Sequence, residues 1–249
     1  MTGAALLLLF LSIESVSATW IVENTTPLPA PAKVSHHRIV VGNGERKVRL
    51  HAVTFSAADC TFAIMDDPDG VYDLASAARK RGALAAVNGG YFHRNREPLG
   101  LRVRQGTEIH QFEKARLLSG LMTVQSGRIS LLRTGEFRKS QSLREAIQAG
   151  PFLVDGGRPV TGLNDNRPAL RTAIVAGPKQ QFGVVVIEQT TLAEAAAILS
   201  RPSLFQNWSV GRALNLDGGS STGLWVGSEQ PFYQREWRDV RDFVAIVPK

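Results

Sequence analysis

An aspartate followed at once by two glycines and three hydroxyl side chains, Asp217-Gly218-Gly219-Ser220-Ser221-Thr222, carries most of the chemistry legible in this chain. The apolar run Ala213 to Leu216 before it has the length of a buried strand, so the carboxylate stands where a strand gives way to a polar loop. The same grammar appears upstream, where Ala83 to Val87 leads into Asn88-Gly89-Gly90. Paired glycines accept positive φ and let a ligand approach main-chain N–H groups, and such N–H concavities bind anions. An Asx side chain before the turn either holds the turn or projects into the space it makes. Two such loops with a hydroxyl cluster predict one shared site. In it Asp217 is a base or nucleophile, its pKa set by burial against its hydrogen bonds. His93, just past the first loop, is either an acid, base or phosphate donor or an ordinary loop residue.

Other chemistries fit less well. Gly219-Ser220-Ser221-Thr222-Gly223 matches a nucleophile elbow, but Leu224 to Val226 reads as a strand where the elbow needs a helix. All five histidines also end by His110, ahead of that serine, against the hydrolase order. The acidic turn Asp66 to Gly70 is no calcium loop, because Met65 would hold its first position and Ser76 its twelfth. No histidine or cysteine cluster makes a zinc site, and neither a metal nor a cofactor is expected. A third Asx-Gly-Gly, Asp155-Gly156-Gly157, reads as a hairpin turn.

The elements that must position these residues follow from periodicity and caps. Lys47 to Ser56 alternates with a period near two and predicts a long strand, with Thr61 to Met65 as its successor. Tyr72 to Arg81 has helical composition, basic residues in its last turn and Gly82 as a stop. Leu99 to Leu132 reads as hairpins turning at Gln105-Gly106 and Ser126-Gly127. Thr191 and Glu194 form a capping box for a helix to Ser200, between the strands Val184 to Ile187 and Ala213 to Leu216. That strand-helix-strand order predicts a crossover and a partly parallel sheet. The expected fold is α+β, a single domain with a mixed β-sheet, hairpins and at least one such crossover.

At 249 residues, 43% hydrophobic and 20% charged, the chain can bury one substantial core. Ala4 to Ile13 is apolar but too short to span a bilayer, and Val16-Ser17-Ala18 suits cleavage, so residues 1–18 read as a signal peptide. A secreted or bacterial periplasmic protein with no stable membrane span follows. Residues 19–33 carry three prolines and read as an extended lead-in, and 34–248 as the domain. Cys60 is the sole cysteine, so no intrachain disulfide forms. The formal charge of +7 suits an anionic partner. Nucleic acid is not expected, because the Lys and Arg residues are scattered and no nucleic-acid-binding motif occurs.

The runs VNGGYF at 87–92, QAGPFLVDGG at 148–157, RTAIV at 171–175 and LNLDGGSST at 214–222 resemble, in order, the motifs of the phosphodiester glycosidase family. The resemblance spans roughly Val34 to Pro248. A loop often written DGGGS in that family reads DGGSS here, with Ser220 in place of a glycine. The resemblance implies hydrolysis of a sugar-1-phosphodiester at its glycosidic C–O bond. It places Arg171, in the RTAIV run, on the phosphate and Asp217 on water or a developing oxocarbenium; Arg102, just after the Pro98-Leu99-Gly100 turn, ranks behind Arg171 as a second candidate cation. Asn88, Ser221 and Thr222 would then position sugar or phosphate, with Gln148 lining the site. The competing reading is a binding module that grips an anionic cell-envelope glycan or sugar phosphate through the same loops without turnover.

Overall fold

The computed structural model describes residues 19–249 as one domain, mostly β-sheet with two helices. The expected signal peptide lies outside the described residues. Helix α1 (Leu74–Arg81) starts where the Asp73 carboxylate accepts the Ser76 N–H at 2.7 Å and stops where Gly82 turns left-handed at φ 67°. Helix α2 (Leu192–Leu199) carries the full capping box of Thr191 and Glu194.

The strands form three sheets. The largest runs β1 (Ile21–Leu28), β2 (Val34–Gly42), β3 (Lys47–Ser56), β14 (Gln181–Thr190), β13 (Ala169–Ala176), β15 (Arg212–Asn215), β11 (Phe152–Asp155) and β12 (Arg158–Pro159). The second runs β7 (Thr107–His110), β6 (Arg102–Arg104), β10 (Leu143–Ala149), β8 (Gly120–Gln125) and β9 (Arg128–Arg133). The third runs β17 (Phe232–Gln234), β16 (Leu224–Val226), β5 (Ala85–Asn88), β18 (Asp242–Pro248) and β4 (Cys60–Asp66).

The turns expected at 105–106, 126–127 and 155–157 close hairpins β6–β7, β8–β9 and β11–β12. The expected mixed sheet is corrected, because the named strands of all three sheets pair antiparallel. β14 and β15 do lie either side of α2 in the chain, but β13 inserts between them and pairs antiparallel with both. A strand in that position supplies all the ladder hydrogen bonds that a parallel β14–β15 pair would have shared. The stretch expected as a lead-in is extended but belongs to the sheet: Ile21–Leu28 pairs with β2 from Ile21↔Gly42 to Leu28↔His36.

The central core lies where the three sheets face one another. Ile174 and Leu214 come from the first sheet, Met122 and Ile147 from the second, Val87 and Val244 from the third, all fully or almost fully buried. Burial of such side chains stabilises the fold by roughly 1.5–3 kcal/mol each. On its outer face the large sheet packs Val175 and Val185 against Ile198 and Leu199 of α2. Helix α1 covers the third sheet through Leu74 and Ala78.

Candidate active site

Five strand ends drawn from all three sheets meet at the two Asx-Gly-Gly loops. β15 delivers Asp217 just past its end, β5 ends on Asn88, and β13 carries Arg171 and Thr172 in its first half. β6 and β18 open on Arg102 and Asp242. The loops are joined directly. Asp217 N–H donates to the Gly89 carbonyl at 3.2 Å, and Asn88 Nδ2 donates to the Asp217 carbonyl at 2.7 Å. Asn88 Oδ1 accepts from the Thr172 hydroxyl at 2.7 Å and the Gly223 N–H at 3.3 Å. Asn88 is thus the strut between the loops, with both its polar atoms engaged, and a direct role on substrate is replaced by a positioning one. Thr222 is completely buried beside Thr172 and belongs to the same brace.

The glycines act differently from the expectation. Gly89 and Gly90 do not have positive φ, and Gly218 sits at −137°, whereas Gly219 turns at φ 62°. A Cβ on Gly89 would stand 1.7 Å from Asp242 Oδ1, and one on Gly90 would stand 2.0 Å from an Arg102 nitrogen. One on Gly218 would lie 2.8 Å from the Leu170 carbonyl oxygen. Three of the four glycines therefore admit other parts of the protein. The anion-binding N–H concavity is likewise taken: Gly89 N–H donates to the Asp242 carbonyl, Gly90 N–H to Asp242 Oδ1 and Gly218 N–H to Asp217 Oδ1. Ser221 and Thr222 N–H groups close a 3₁₀ turn on Gly218 and Gly219.

Two expected substrate contacts are corrected by burial. Arg102 is fully enclosed, its Nε on Asp242 Oδ2 at 2.7 Å and its other nitrogens on the carbonyls of Leu101, Gln148 and Tyr91. Gln148 is also fully buried and clamps the chain, accepting from Leu101 N–H at 2.9 Å and donating to the Glu113 carbonyl at 2.7 Å. Inside a protein a guanidinium persists only when charge and hydrogen bonds are matched, and this one spends itself doing so. His93 is exposed in the turn after β5, where its N–H and carbonyl bond to Glu97 and Arg96.

Asp217, Arg171 and Ser220 are less enclosed, though Arg171 also gives Nη2 to the Arg167 carbonyl. Burial pushes the Asp217 carboxyl above the ordinary range, opposed by hydrogen bonds from the Ser221 side chain and Gly218 N–H and by the Arg238 charge. Arg171 is half-buried, its Nε donating to the Thr190 carbonyl at 2.9 Å. Between Arg171 and Asp217 lies Tyr91, whose hydroxyl donates to the Gly150 carbonyl at 2.7 Å and receives Asn215 Nδ2 at 2.9 Å. Burial, then the Asp217 charge, push the Tyr91 hydroxyl well up, while Arg171 acts in the other sense. On the outer side, Trp237 N–H donates to the Ser220 carbonyl at 2.8 Å, and the Arg238 guanidinium lies over the Phe92 ring at 5.0 Å. Trp237 itself is 85% exposed.

Tyr91, Asn215, Arg238, Trp237 and Asp242 were thus missed as site residues. Tyr91 and Asn215 stand inside motif runs quoted above, so position beside an Asx-Gly-Gly loop was the available signal. Arg238 and Asp242 come from a distant segment with no pattern that marks them.

A model of the phosphodiester glycosidase family matches residues 81–247. No curated protein matches the chain. Among solved structures, a hypothetical protein from Synechocystis is similar with a TM-score of 0.65 at 16% identity, over 91% of this chain and 64% of that one. The chain thus spans less than two thirds of that protein. The zebrafish N-acetylglucosamine-1-phosphodiester alpha-N-acetylglucosaminidase catalytic domain, auto-inhibited by its pro-peptide, gives a TM-score of 0.63 at 16% identity, over 93% and 84%. A putative exported protein from Burkholderia pseudomallei gives 0.58 at 13%, over 81% and 74%. The structural likenesses establish a shared fold, and the family match takes in β5, β13, β15 and β18, the strands that build the loops around Asp217. On these grounds the chain belongs to the phosphodiester glycosidase family.

Proposed function

We propose that the protein is an exported hydrolase that cleaves the glycosidic C–O bond of a sugar-1-phosphodiester, releasing free sugar and a phosphomonoester. The observation that carries this reading is the half-buried Asp217 carboxylate, held by Gly218 N–H and Ser221 with the Arg238 charge acting on it, beside a Tyr91 hydroxyl that feels both Asp217 and Arg171. Ordinary glycosidases need a paired acid because an alkoxide leaves poorly. A phosphate monoester leaves without a proton, so one carboxylate with cations beside the departing oxygens is a sufficient set. Asp217 faces the anomeric carbon as positive charge develops there and takes the proton of the attacking water, while Arg171 and Arg238 hold the phosphate. Asn88, Thr172 and Thr222 keep the two loops at fixed separation, which supports orientation more than chemistry.

Release of free sugar and phosphomonoester from a panel of sugar-1-phosphodiesters, N-acetylglucosamine first, tests this. Wild type is expected to release both, and Asp217→Asn to lose about 10²–10⁴-fold in rate with folding intact. Absence of release by folded wild type, with direct binding of the same diesters, would favour the binding module.

A further inference from the structure

The outer face of the large sheet holds a recess remote from Asp217. Along β2 and β3 this face changes character: Ile39 and Ala52 are buried under the α2 layer, then come His37 and the cross-strand pair Ser35–Thr54. Together with the 204–208 segment they bound a groove of about 310 Å³. Its aromatic wall is rigid, because Phe205 and Trp208 stack with ring centroids 4.5 Å apart at 19°. Trp208 also lies so close to Gly177 that a Cβ there would be 2.1 Å from the indole. Asn207 and Gln206 add amides at the rim, Lys179 adds a cation, and no carboxylate lines the groove.

The Lys179 position has a conformational cost. Lys179 and Gln180 are consecutive at φ 52° and 58° in the β13–β14 turn, where asparagine and glycine are the comfortable residues. Strain of this kind gathers where a side chain must be presented for use. A hydroxyl pair, rim amides, a pinned indole for the apolar face of a ring and one unopposed cation match a saccharide that bears acid groups. We propose that this groove is a non-catalytic binding site for an anionic saccharide chain, with a sugar ring against Trp208 and an acidic substituent on Lys179. It is separate from the Asp217 loops. Thr172 faces them from the start of β13, and Gly177 lies five residues further along the chain, roughly 17 Å away at strand rise. The two sites also use opposite faces of the sheet, since Ile174 packs into the central core and Ala173 and Val175 into the outer one.

Calorimetric titration with an alginate hexasaccharide, and with maltohexaose as the neutral match, tests the assignment on the full chain. Wild type is expected to bind the alginate at least tenfold more tightly. Lys179→Gln should weaken alginate at least fivefold and leave maltohexaose unchanged, Asn207→Ala should weaken both, and Asp217→Asn should weaken neither. Unchanged thermal midpoints establish that these surface variants fold. Lys179→Asn with Gln180→Gly is expected to raise the thermal midpoint while weakening alginate. Equal affinity for the two oligomers, no binding of alginate by wild type, insensitivity to Lys179 and Asn207, or loss of binding in Asp217→Asn would each overturn the proposal. Because no turnover is involved, its failure and failure of the hydrolase reading are read separately.

Discussion

Two carboxylates near each other in this fold have opposite fates. Asp242 is fully buried but meets Arg102 and Gly90 N–H, so its charge is compensated in place. Asp217 has as many donors, but they are the neutral Gly218 N–H and Ser221 side chain instead of a bonded guanidinium, and burial lifts its carboxyl above the ordinary range. A carboxyl raised in the folded state contributes stability below its unfolded pKa that is lost as pH rises through the folded value, so ionisation of Asp217 is a cost to the fold. Asp217→Asn is therefore expected to raise the thermal midpoint at pH 7 while removing turnover. The acid limb of the wild-type kcat/KM profile should lie above the usual carboxylate range. Arg102→Ala should behave in the contrary way. It strands Asp242 inside the protein, and denaturant unfolding is expected to show a loss of about 3–5 kcal/mol. The sequence ranked Arg171 ahead of Arg102 but did not show that Arg102 is enclosed. Arg171 and Arg102 both follow turn-like segments, and only the packing of β6 against β10 and β18 decides that one is enclosed and the other half-open.

At the scale of elements, features that depend on a few consecutive residues were legible: the Gly82 stop of α1, the capping box of α2, the hairpin turns and the two apolar strands that end in Asx-Gly-Gly. The neighbours of each strand were not. Nothing local to β14 or β15 announces that β13 lies between them, because strand order is set by which faces bury together across the chain. The same holds for a histidine pair that no motif marked. His36 of β2 and His51 of β3 face each other with Nε2 to Nδ1 at 3.0 Å, and Phe232 of β17 stacks on His51 at 4.5 Å. Burial first, then the neighbouring imidazole for His36 and the Arg38 and Arg49 charges for His51, bring both down to about 4. Imidazoles kept neutral in the fold but free to charge when unfolded make stability fall as pH drops from 6.5 to about 4, on the order of 3 kcal/mol for each. Thermal midpoints across that interval should fall steeply for wild type and less steeply for His36→Asn with His51→Asn.

Taken as a whole, the chain is basic, and the proposed hydrolase reading assigns Arg171 and Arg238 to the phosphate. Attraction of this sort acts over about 8–10 Å at ordinary ionic strength. The KM for a charged diester should accordingly rise as salt is raised from 20 to 500 mM (roughly 20 Å to 4 Å of screening length) with kcat little changed. A KM indifferent to salt would count against the arginines as phosphate ligands. Two of the four family motif runs, VNGGYF and LNLDGGSST, contain the joined Asx-Gly-Gly loops, and RTAIV meets them at Thr172. The site's electrostatics were not readable, because Arg238 and Asp242 arrive from the far end of the chain.

The meeting of five strand ends from three sheets also bears on how this protein would fail. A pocket carried on one hairpin can survive while the remainder loosens. Here the spacing of Asp217 from Asn88, Arg171 and Asp242 is shared among β15, β5, β13 and β18, so release of any one sheet disperses the site. Enzymatic activity would then serve as a gauge of the entire domain's integrity, with inactivation in denaturant beginning at the unfolding of whichever sheet is weakest.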